Sequence, residues 1–125
     1  MVGVSEHDVD YIDWIEYPKA RLRVVIDIER GVPTLFVVQL EYQVDGEWGP
    51  VVRFDHNSVS QSGHDITEEG LHMDIYRDGE KYRVKTNFPT VPLSDAPKYA
   101  ESHTRGQADQ LLRRYEQWHN LTTPD

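Results

Sequence analysis

The sequence predicts an α+β fold, an antiparallel meander of four to five strands with a C-terminal helix packed on one face of the sheet. Apolar and polar residues alternate over several segments between positions 21 and 86, as strands of a half-buried sheet require. Asp45-Gly46 and Asp78-Gly79 are typical of two-residue hairpin turns, which make consecutive strands antiparallel neighbours. Apolar residues with helical spacing follow near the C-terminus.

The composition is that of one acidic globular domain spanning residues 1–125. Apolar residues make up 38% of the 125 positions, which is enough for a single core. There are 22 acidic and 13 basic residues, and the net charge of −9 opposes non-specific binding to nucleic acid. Only four of the basic residues are lysine. Abundant acidic residues with few lysines are typical of proteins in a salt-rich cytosol, and an arginine-biased genome explains the scarcity of lysine equally well.

The composition also excludes some kinds of chemistry and indicates the cellular compartment. The chain has no cysteine, so disulfides, thiolate catalysis and iron–sulfur clusters are excluded. It has neither an apolar run of about 18 residues nor a basic-then-apolar leader, the patterns of membrane spans and secretion signals. We therefore expect a soluble cytoplasmic protein with no membrane contact.

The N-terminal segment, residues 1–20, fits two interpretations. Ser5, followed by acidic residues, resembles the start of a short helix. Tyr11, Asp13 and Ile15 alternate with their neighbours as a strand would. Pro18 ends either element.

The meander occupies residues 21–86. In its first two strands, apolar and polar residues alternate, beginning at Leu22 in one and at Phe36 in the other. Its later strands contain the segments 51–55, 71–77 and 81–85. A polar loop from His56 to Gly70 interrupts it, and we expect residues 57–69 to be the most mobile internal segment. On the face toward the helix we expect the following residues: Phe36, Val38, Leu40, Val52, Phe54, Met73, Ile75, Tyr82 and Val84.

A proline-rich connector, residues 87–97, leads to the C-terminal helix, residues 98–120. Thr104 and Gln107 have capping-box spacing, which places the helix start near Thr104. A start near Asp95 also fits, because Tyr99 and His103 have the same helical spacing as the apolar residues that follow them. The rest of the apolar stripe consists of Ala108, Leu111, Leu112, Tyr115 and Trp118.

The candidate catalytic residues lie opposite this apolar face. Arg53 and Asp55 are two positions apart and therefore point the same way, and His72 precedes Met73, whose side chain must face the core. An imidazole base or acid, a carboxylate and an arginine suit phosphodiester chemistry. A solvent-exposed sheet face bearing ordinary cross-strand ion pairs is the alternative. The whole predicted polar face comprises Gln39, Glu41, Arg53, Asp55, His72, Asp74, Tyr76, Lys81 and Arg83.

A metal site is a weaker hypothesis. His56, His64 and His72 recur at eight-residue intervals beside carboxylates, and imidazole with carboxylate suits zinc, manganese or iron. This spacing matches no metal-binding motif, so we predict neither a metal nor another cofactor.

One stretch of the chain resembles a known family. Asp45-Gly46-Glu47-Trp48, Val51-Val52-Arg53-Phe54-Asp55, a His- and Asp-rich segment and Asp78-Gly79 resemble small prokaryotic proteins of unknown function. More distantly the pattern is similar to the TumE family of toxin–antitoxin toxins. The resemblance implies that Arg53, Asp55, His64 and His72 are the shared polar positions.

Two functions follow from these patterns. The first is a small toxin-like protein that acts on nucleic acid through its polar sheet face and has an antitoxin-like protein partner. Here His72 or His64 serves as base or acid, Asp55 orients an imidazole and Arg53 holds a phosphate. The second is a non-catalytic module that binds a protein partner or forms a homodimer through its strand edges.

Overall fold

A computed structural model describes residues 6–59 and 63–121. It is an α+β fold in which one six-stranded antiparallel sheet follows chain order from β1 to β6. The strands are β1 Val9–Glu16, β2 Ala20–Glu29, β3 Val32–Val44, β4 Glu47–Asn57, β5 Met73–Arg77 and β6 Glu80–Lys85. The helices are α1 Ile66–Glu69, a 3₁₀ turn at Leu93–Asp95, and α2 Ala96–Trp118.

The predicted antiparallel meander and C-terminal helix are confirmed, but the predicted count of four to five strands was wrong. The additional strand is β1, whose residues 9–16 pair with β2, so the strand interpretation of this segment holds and the short-helix interpretation does not. Ser5, the residue proposed to start that helix, lies outside the described residues. The alternation of Tyr11 and Asp13 was the correct signal, since both contact α2: Tyr11 Oη donates to Glu101 at 2.5 Å, and Asp13 pairs with Arg105 at 2.8 Å.

Each tight hairpin turn has two successive residues in the left-handed region. Asp45 and Gly46 have φ of 52° and 81°, and Asp78 and Gly79 have φ of 56° and 78°. Arg30 and Gly31 form a third turn of the same kind, between β2 and β3. Such turns match the right-handed twist of the flanking strands, so the predicted Asp-Gly hairpins are confirmed.

The core lies between α2 and one face of the sheet, which we call the covered face. Phe54, Met73 and Leu111 belong to one buried cluster, as the alternation predicts. Phe54 is fully buried and its ring contacts Phe88 and His103, with centroids 5.2 and 5.8 Å away. The predicted strand register is therefore correct through β5.

The register changes at β6, where the sequence prediction fails. Ile75 pairs with Arg83 and Tyr76 pairs with Lys81, so Tyr82 is an extra residue that forms a bulge. Arg83 consequently lies on the covered face, and Val84, paired with Asp74, lies on the opposite face. Tyr82 and Val84 are 51% and 43% exposed, although both were expected in the core.

Helix α2 begins earlier than the predicted residue 98. Asp95 is its N-cap residue, as the alternative start suggested, and the 3₁₀ turn before it shortens the irregular connector. Thr104 caps nothing: it is buried inside the helix, and its hydroxyl donates to the carbonyl of Ala100 at 2.7 Å. The predicted loop also contains structure, since His56 belongs to β4 and α1 begins at Ile66.

Candidate functional site

The strand register collects polar side chains on the sheet face opposite α2, which we call the open face. Gln39 pairs with Arg53, Arg53 pairs with Asp74, and Val37 pairs with Asp55. Directly paired residues project from the same side of an antiparallel sheet. The polar side chains of β3, β4 and β5 therefore meet on this face.

A cavity of about 310 Å³ opens on this face. All four predicted site residues, Arg53, Asp55, His64 and His72, line it. Arg53 Nε donates to Asp55 Oδ2 at 2.8 Å, with the two side chains 36% and 24% exposed. Arg53, Asp55 and His72 share the face opposite the helix, as predicted. The further expectation that all three share hydrogen bonds holds only for Arg53 and Asp55 within the described residues, so Asp55 contacts the guanidinium rather than an imidazole.

The two predicted histidines of the cavity lie against each other. The ring centroids of His64 and His72 are 3.7 Å apart. His64 Nδ1 contacts the Glu69 carboxylate, and its Nε2 lies 3.2 Å from the carbonyl of Gly70. Both of these partners are hydrogen-bond acceptors, so each ring nitrogen of His64 that carries a proton has a partner to donate to.

Local sequence explains how a loop residue reaches the sheet. Asp65 caps α1, because its Oδ1 accepts from the backbone N–H of Thr67 at 2.9 Å and from the Thr67 hydroxyl at 2.5 Å. The N–H of Asn57 also donates to the carbonyl of His64 at 2.7 Å, which joins the end of β4 to the residue before the cap. These bonds hold His64 over the open face.

His72 is in an environment that favours its neutral form. Burial lowers its pKa most, and the nearby charge of His64 lowers it further, while Asp74 and Asp55 act in the opposite direction. His72 is therefore suited to accept a proton near neutral pH.

Asp74 is the carboxylate nearest to His72. Its Oδ1 lies 3.7 Å from His72 Nε2, and its Oδ2 pairs with Lys81 Nζ at 3.3 Å. Asp74 is only 3% exposed, and its Oδ1 has no hydrogen-bond partner in the described part of the chain. Buried carboxylate oxygens are nearly always hydrogen-bonded, so this atom is available to a slightly shifted imidazole or to a ligand.

A second cavity of about 310 Å³ adjoins the first and shares Leu35, Val37 and Arg53 with it. It adds His7 and Arg23 and has no carboxylate in its lining. The two cavities together form a groove across the open face, with an apolar floor and a line of cationic side chains.

The third histidine of the eight-residue series, His56, borders the same cavity, but its ring is buried in the core. His56 pairs with Phe36 in the sheet and stacks on that ring in the core, where it is 1% exposed. Its Nδ1 accepts from the N–H of Ile66 at 3.1 Å, so it is a structural acceptor for the start of α1. Among residues 6–59 and 63–121, no group of three or more His, Asp or Glu is arranged to hold a metal ion.

Three residues of the groove were absent from the predicted catalytic set. Asp74 and Lys81 were placed on the correct face but given no role, because only the structure shows their contact with each other and the approach of Asp74 to His72. Arg23 was missed altogether. The signal for it existed, since Leu22 and Val24 are buried and the residue between them must face the other way.

Comparison with known proteins identifies the family. Residues 4–121 match the model of a domain of unknown function, DUF7718. The chain belongs to this family. No curated protein and no solved structure matches the chain. The family match spans the open-face groove and the whole of α2, so both are parts of the shared domain.

In the part of the chain that the structure describes, no helix combines the length and the apolar character needed to cross a membrane.

Proposed function

We propose that the open-face cavity cleaves RNA phosphodiester bonds without a metal ion, and that this activity makes the protein toxin-like. The observation that carries the proposal is the pair of imidazoles of His64 and His72, 3.7 Å apart, in a cavity that also contains Arg53 and Lys81. Two imidazoles can serve as the base and the acid of such a reaction, and cations stabilise the charge that develops on phosphorus.

The reaction balances with these groups alone. His72, in its neutral form, takes the proton of a ribose 2′-hydroxyl, and the oxygen attacks the adjacent phosphorus. The bond from phosphorus to the 5′-oxygen breaks, and protonated His64, with Nδ1 kept on Glu69, turns its Nε2–H away from the Gly70 carbonyl and donates that proton to the leaving oxygen. The products are a 2′,3′-cyclic phosphate and a free 5′-hydroxyl.

The remaining groups have supporting roles in this proposal. Arg53, held by Asp55, binds the non-bridging phosphate oxygens, for which a guanidinium is well shaped. Asp74 stabilises the imidazolium that forms on His72, in the role first assigned to Asp55. Arg23, in the adjoining cavity, contacts the next phosphate along the strand and offsets locally the unfavourable net charge of −9.

The test is cleavage of a single-stranded RNA oligonucleotide by the purified protein in the presence of EDTA. We expect products that end in a 2′,3′-cyclic phosphate, and no cleavage of DNA of the same sequence, which lacks the attacking hydroxyl. His72→Ala, His64→Ala and Arg53→Ala should each lose the activity. His119→Ala and Arg30→Ala, which alter residues outside the cavity, should retain it.

The toxin-like part of the proposal has its own test. Expression of the wild-type chain should slow bacterial growth, and His72→Ala should restore growth at equal protein level. An antitoxin-like partner should then relieve the inhibition by covering the groove. Normal growth with well-expressed wild type, together with intact RNA in the cleavage assay, would contradict the proposal.

A second candidate function is self-association through β1, as a binding or dimerisation module. β1 is an edge strand, and Ile12 and Trp14 on it are 50% and 47% exposed. Trp14 also contacts Trp48, with ring centroids 5.8 Å apart, which extends the apolar patch on the open side. Exposed edges with apolar side chains favour pairing with a second copy of the chain.

Light scattering distinguishes this candidate. If β1 pairs two copies, the wild type should be a dimer and Ile12→Lys a monomer that folds normally. A monomeric wild type at high concentration would exclude pairing through this edge.

A further inference from the structure

A small groove on the covered side of the molecule lies between the edge strand β6 and helix α2. Its volume is about 130 Å³, and Met73, Ile75 and Leu111 form its apolar floor. Lys85, His103 and Arg114 also line it, together with the amides of Gln107 and Gln110. Because Met73 and Ile75 face the core, this groove is separated by the sheet from the open-face groove.

The charge of this lining is unusual for so acidic a chain. It contains two cations and an imidazole and no carboxylate, although the chain has 22 acidic residues against 13 basic ones. The bulge at Tyr82 adds a third cation nearby, because it turns Arg83 to the same side. Within residues 6–59 and 63–121, none of Arg83, Lys85 and Arg114 forms an ion pair with an acidic residue.

The aromatic contacts of these cations leave their charges uncompensated. The Arg114 guanidinium lies 4.8 Å from the centre of the Trp118 ring, and Lys85 Nζ lies 5.6 Å from that of Phe88. A ring face attracts a cation weakly and carries no net charge. The contacts therefore position the cations and do not neutralise them.

Two polar atoms of the groove are buried without a partner. Arg114 Nε and His103 Nε2 have no hydrogen bond among the described residues. Buried polar atoms of this kind normally have a partner. Burial lowers the pKa of both groups, and the charge of Lys85 acts on His103 while that of Arg83 acts on Arg114. The positive charges that line the groove therefore repel one another.

We propose that this groove binds the phosphate group of a small molecule through Lys85, His103 and Arg114. A phosphate dianion supplies both the negative charge and the acceptor oxygens that the lining lacks, and arginine binds such groups with two parallel hydrogen bonds. The cavity is smaller than the roughly 300–1,000 Å³ of pockets that enclose whole drug-sized ligands. The phosphate group therefore enters the groove, and the rest of the ligand lies outside it.

Calorimetric titration at low ionic strength and pH 7 tests the proposal with three probes: inorganic phosphate, AMP and ATP. We expect saturable binding of at least one of them at a site that Arg53→Ala, which alters the open-face cavity, leaves intact. Lys85→Gln and Arg114→Gln should each weaken binding at least tenfold. Lys98→Gln, which removes an exposed cation from the same helix away from the groove, should bind as the wild type does. Binding of AMP but not of inorganic phosphate would assign the site to a phosphorylated metabolite.

A second measurement locates the bound anion and does not depend on the stability of any variant. In the imidazole region of an NMR spectrum, phosphate should shift the signals of His103 and leave those of His119, which lies outside both grooves against Tyr115, unchanged. Absence of binding for all three probes overturns the proposal. An equal response of the wild type, Arg114→Gln and Lys98→Gln also overturns it, since general screening of charge would then explain the effect.

Discussion

The two faces of the sheet use charged residues in opposite ways. On the covered face, beside α2, the buried Glu116 accepts from the Tyr42 hydroxyl at 2.7 Å and pairs with Lys19 at 3.1 Å and Arg113 at 2.8 Å. On the open face, Asp74 is equally buried but has an oxygen without a hydrogen bond in the described part of the chain. Buried charge that is fully paired holds elements together, and buried charge that is incompletely paired is available for chemistry.

The comparison predicts that substitutions on the covered face reduce stability, while those on the open face reduce activity and leave stability nearly unchanged. The four experiments below test this difference, in order of decreasing effect on stability.

Phe54→Ala should have the largest effect, a loss of about 3–5 kcal/mol in the free energy of unfolding, because it opens a cavity in a well-packed core. Phe54 is fully buried beneath α2. Urea unfolding measures the change, and Val84→Ala on the exposed side of β6 is the control, with a loss under about 0.5 kcal/mol. Similar losses for the two variants would contradict the assignment of the faces.

Tyr42→Phe should destabilise the protein by about 1.5–3 kcal/mol, the usual range for a hydrogen bond to a charged group. Burial and the Glu116 carboxylate raise the pKa of Tyr42, so its hydroxyl remains a donor over the whole working range of pH. Tyr76→Phe on the open face is the matched control, and unfolding by urea should show almost no change. An equally mild Tyr42→Phe would mean that Lys19 and Arg113 satisfy Glu116 without the hydroxyl.

The pH dependence of stability should follow the buried His56. Burial lowers its pKa below the ordinary value of 6.5, so below that pH the unfolded chain binds a proton that the folded chain does not. The contribution of His56 to stability is therefore complete well above pH 6.5 and is lost as the pH decreases, by at most about 1.4 kcal/mol per pH unit for one histidine. Protonation of Nδ1 also removes the acceptor of the Ile66 N–H.

His56→Gln keeps an acceptor near Ile66 and removes the titrating group. Unfolding free energies at pH 5, 6, 7 and 8 should show a shallower slope for this variant than for the wild type. His72 and His103, whose pKa values burial also lowers, contribute the slope that remains. An unchanged slope in His56→Gln would show that folding does not alter proton binding at His56, and would contradict the lowered pKa.

Arg53→Ala should have the smallest effect on stability, under about 1 kcal/mol, because its ion pair with Asp55 is partly exposed and screened by solvent. The same variant should lose RNA cleavage, as should His72→Ala. A large loss of stability in either variant would show that the open face also stabilises the fold. It would contradict the prediction that only covered-face substitutions reduce stability strongly.

Much of the fold could be predicted from local patterns. Alternation placed Val52, Phe54, Met73 and Ile75 on the covered face, and the Asp-Gly pairs located two hairpins, since both signals depend only on neighbouring residues. The same alternation brought Arg53, Asp55 and His72 to the open face. These features follow from backbone geometry that a short segment adopts wherever it lies in a sheet.

Other features depend on contacts between distant parts of the chain. Residues 9–16 form a strand because they pair with the edge of β2 and because Tyr11 and Asp13 contact Glu101 and Arg105 of α2. The bulge at Tyr82 reversed the expected faces of Arg83 and Val84, because its cause is the pairing of β6 with β5 rather than any pattern within β6.

The candidate sites show the same division. Residue types and spacing by themselves determined which side chains of β4 and β5 share a face. Only the tertiary structure brought His64 from its loop onto His72, placed Lys81 beside Asp74, and set Lys85 opposite His103 and Arg114. Periodicity describes a side chain relative to its own strand or helix, whereas distances between elements are decided by how those elements pack.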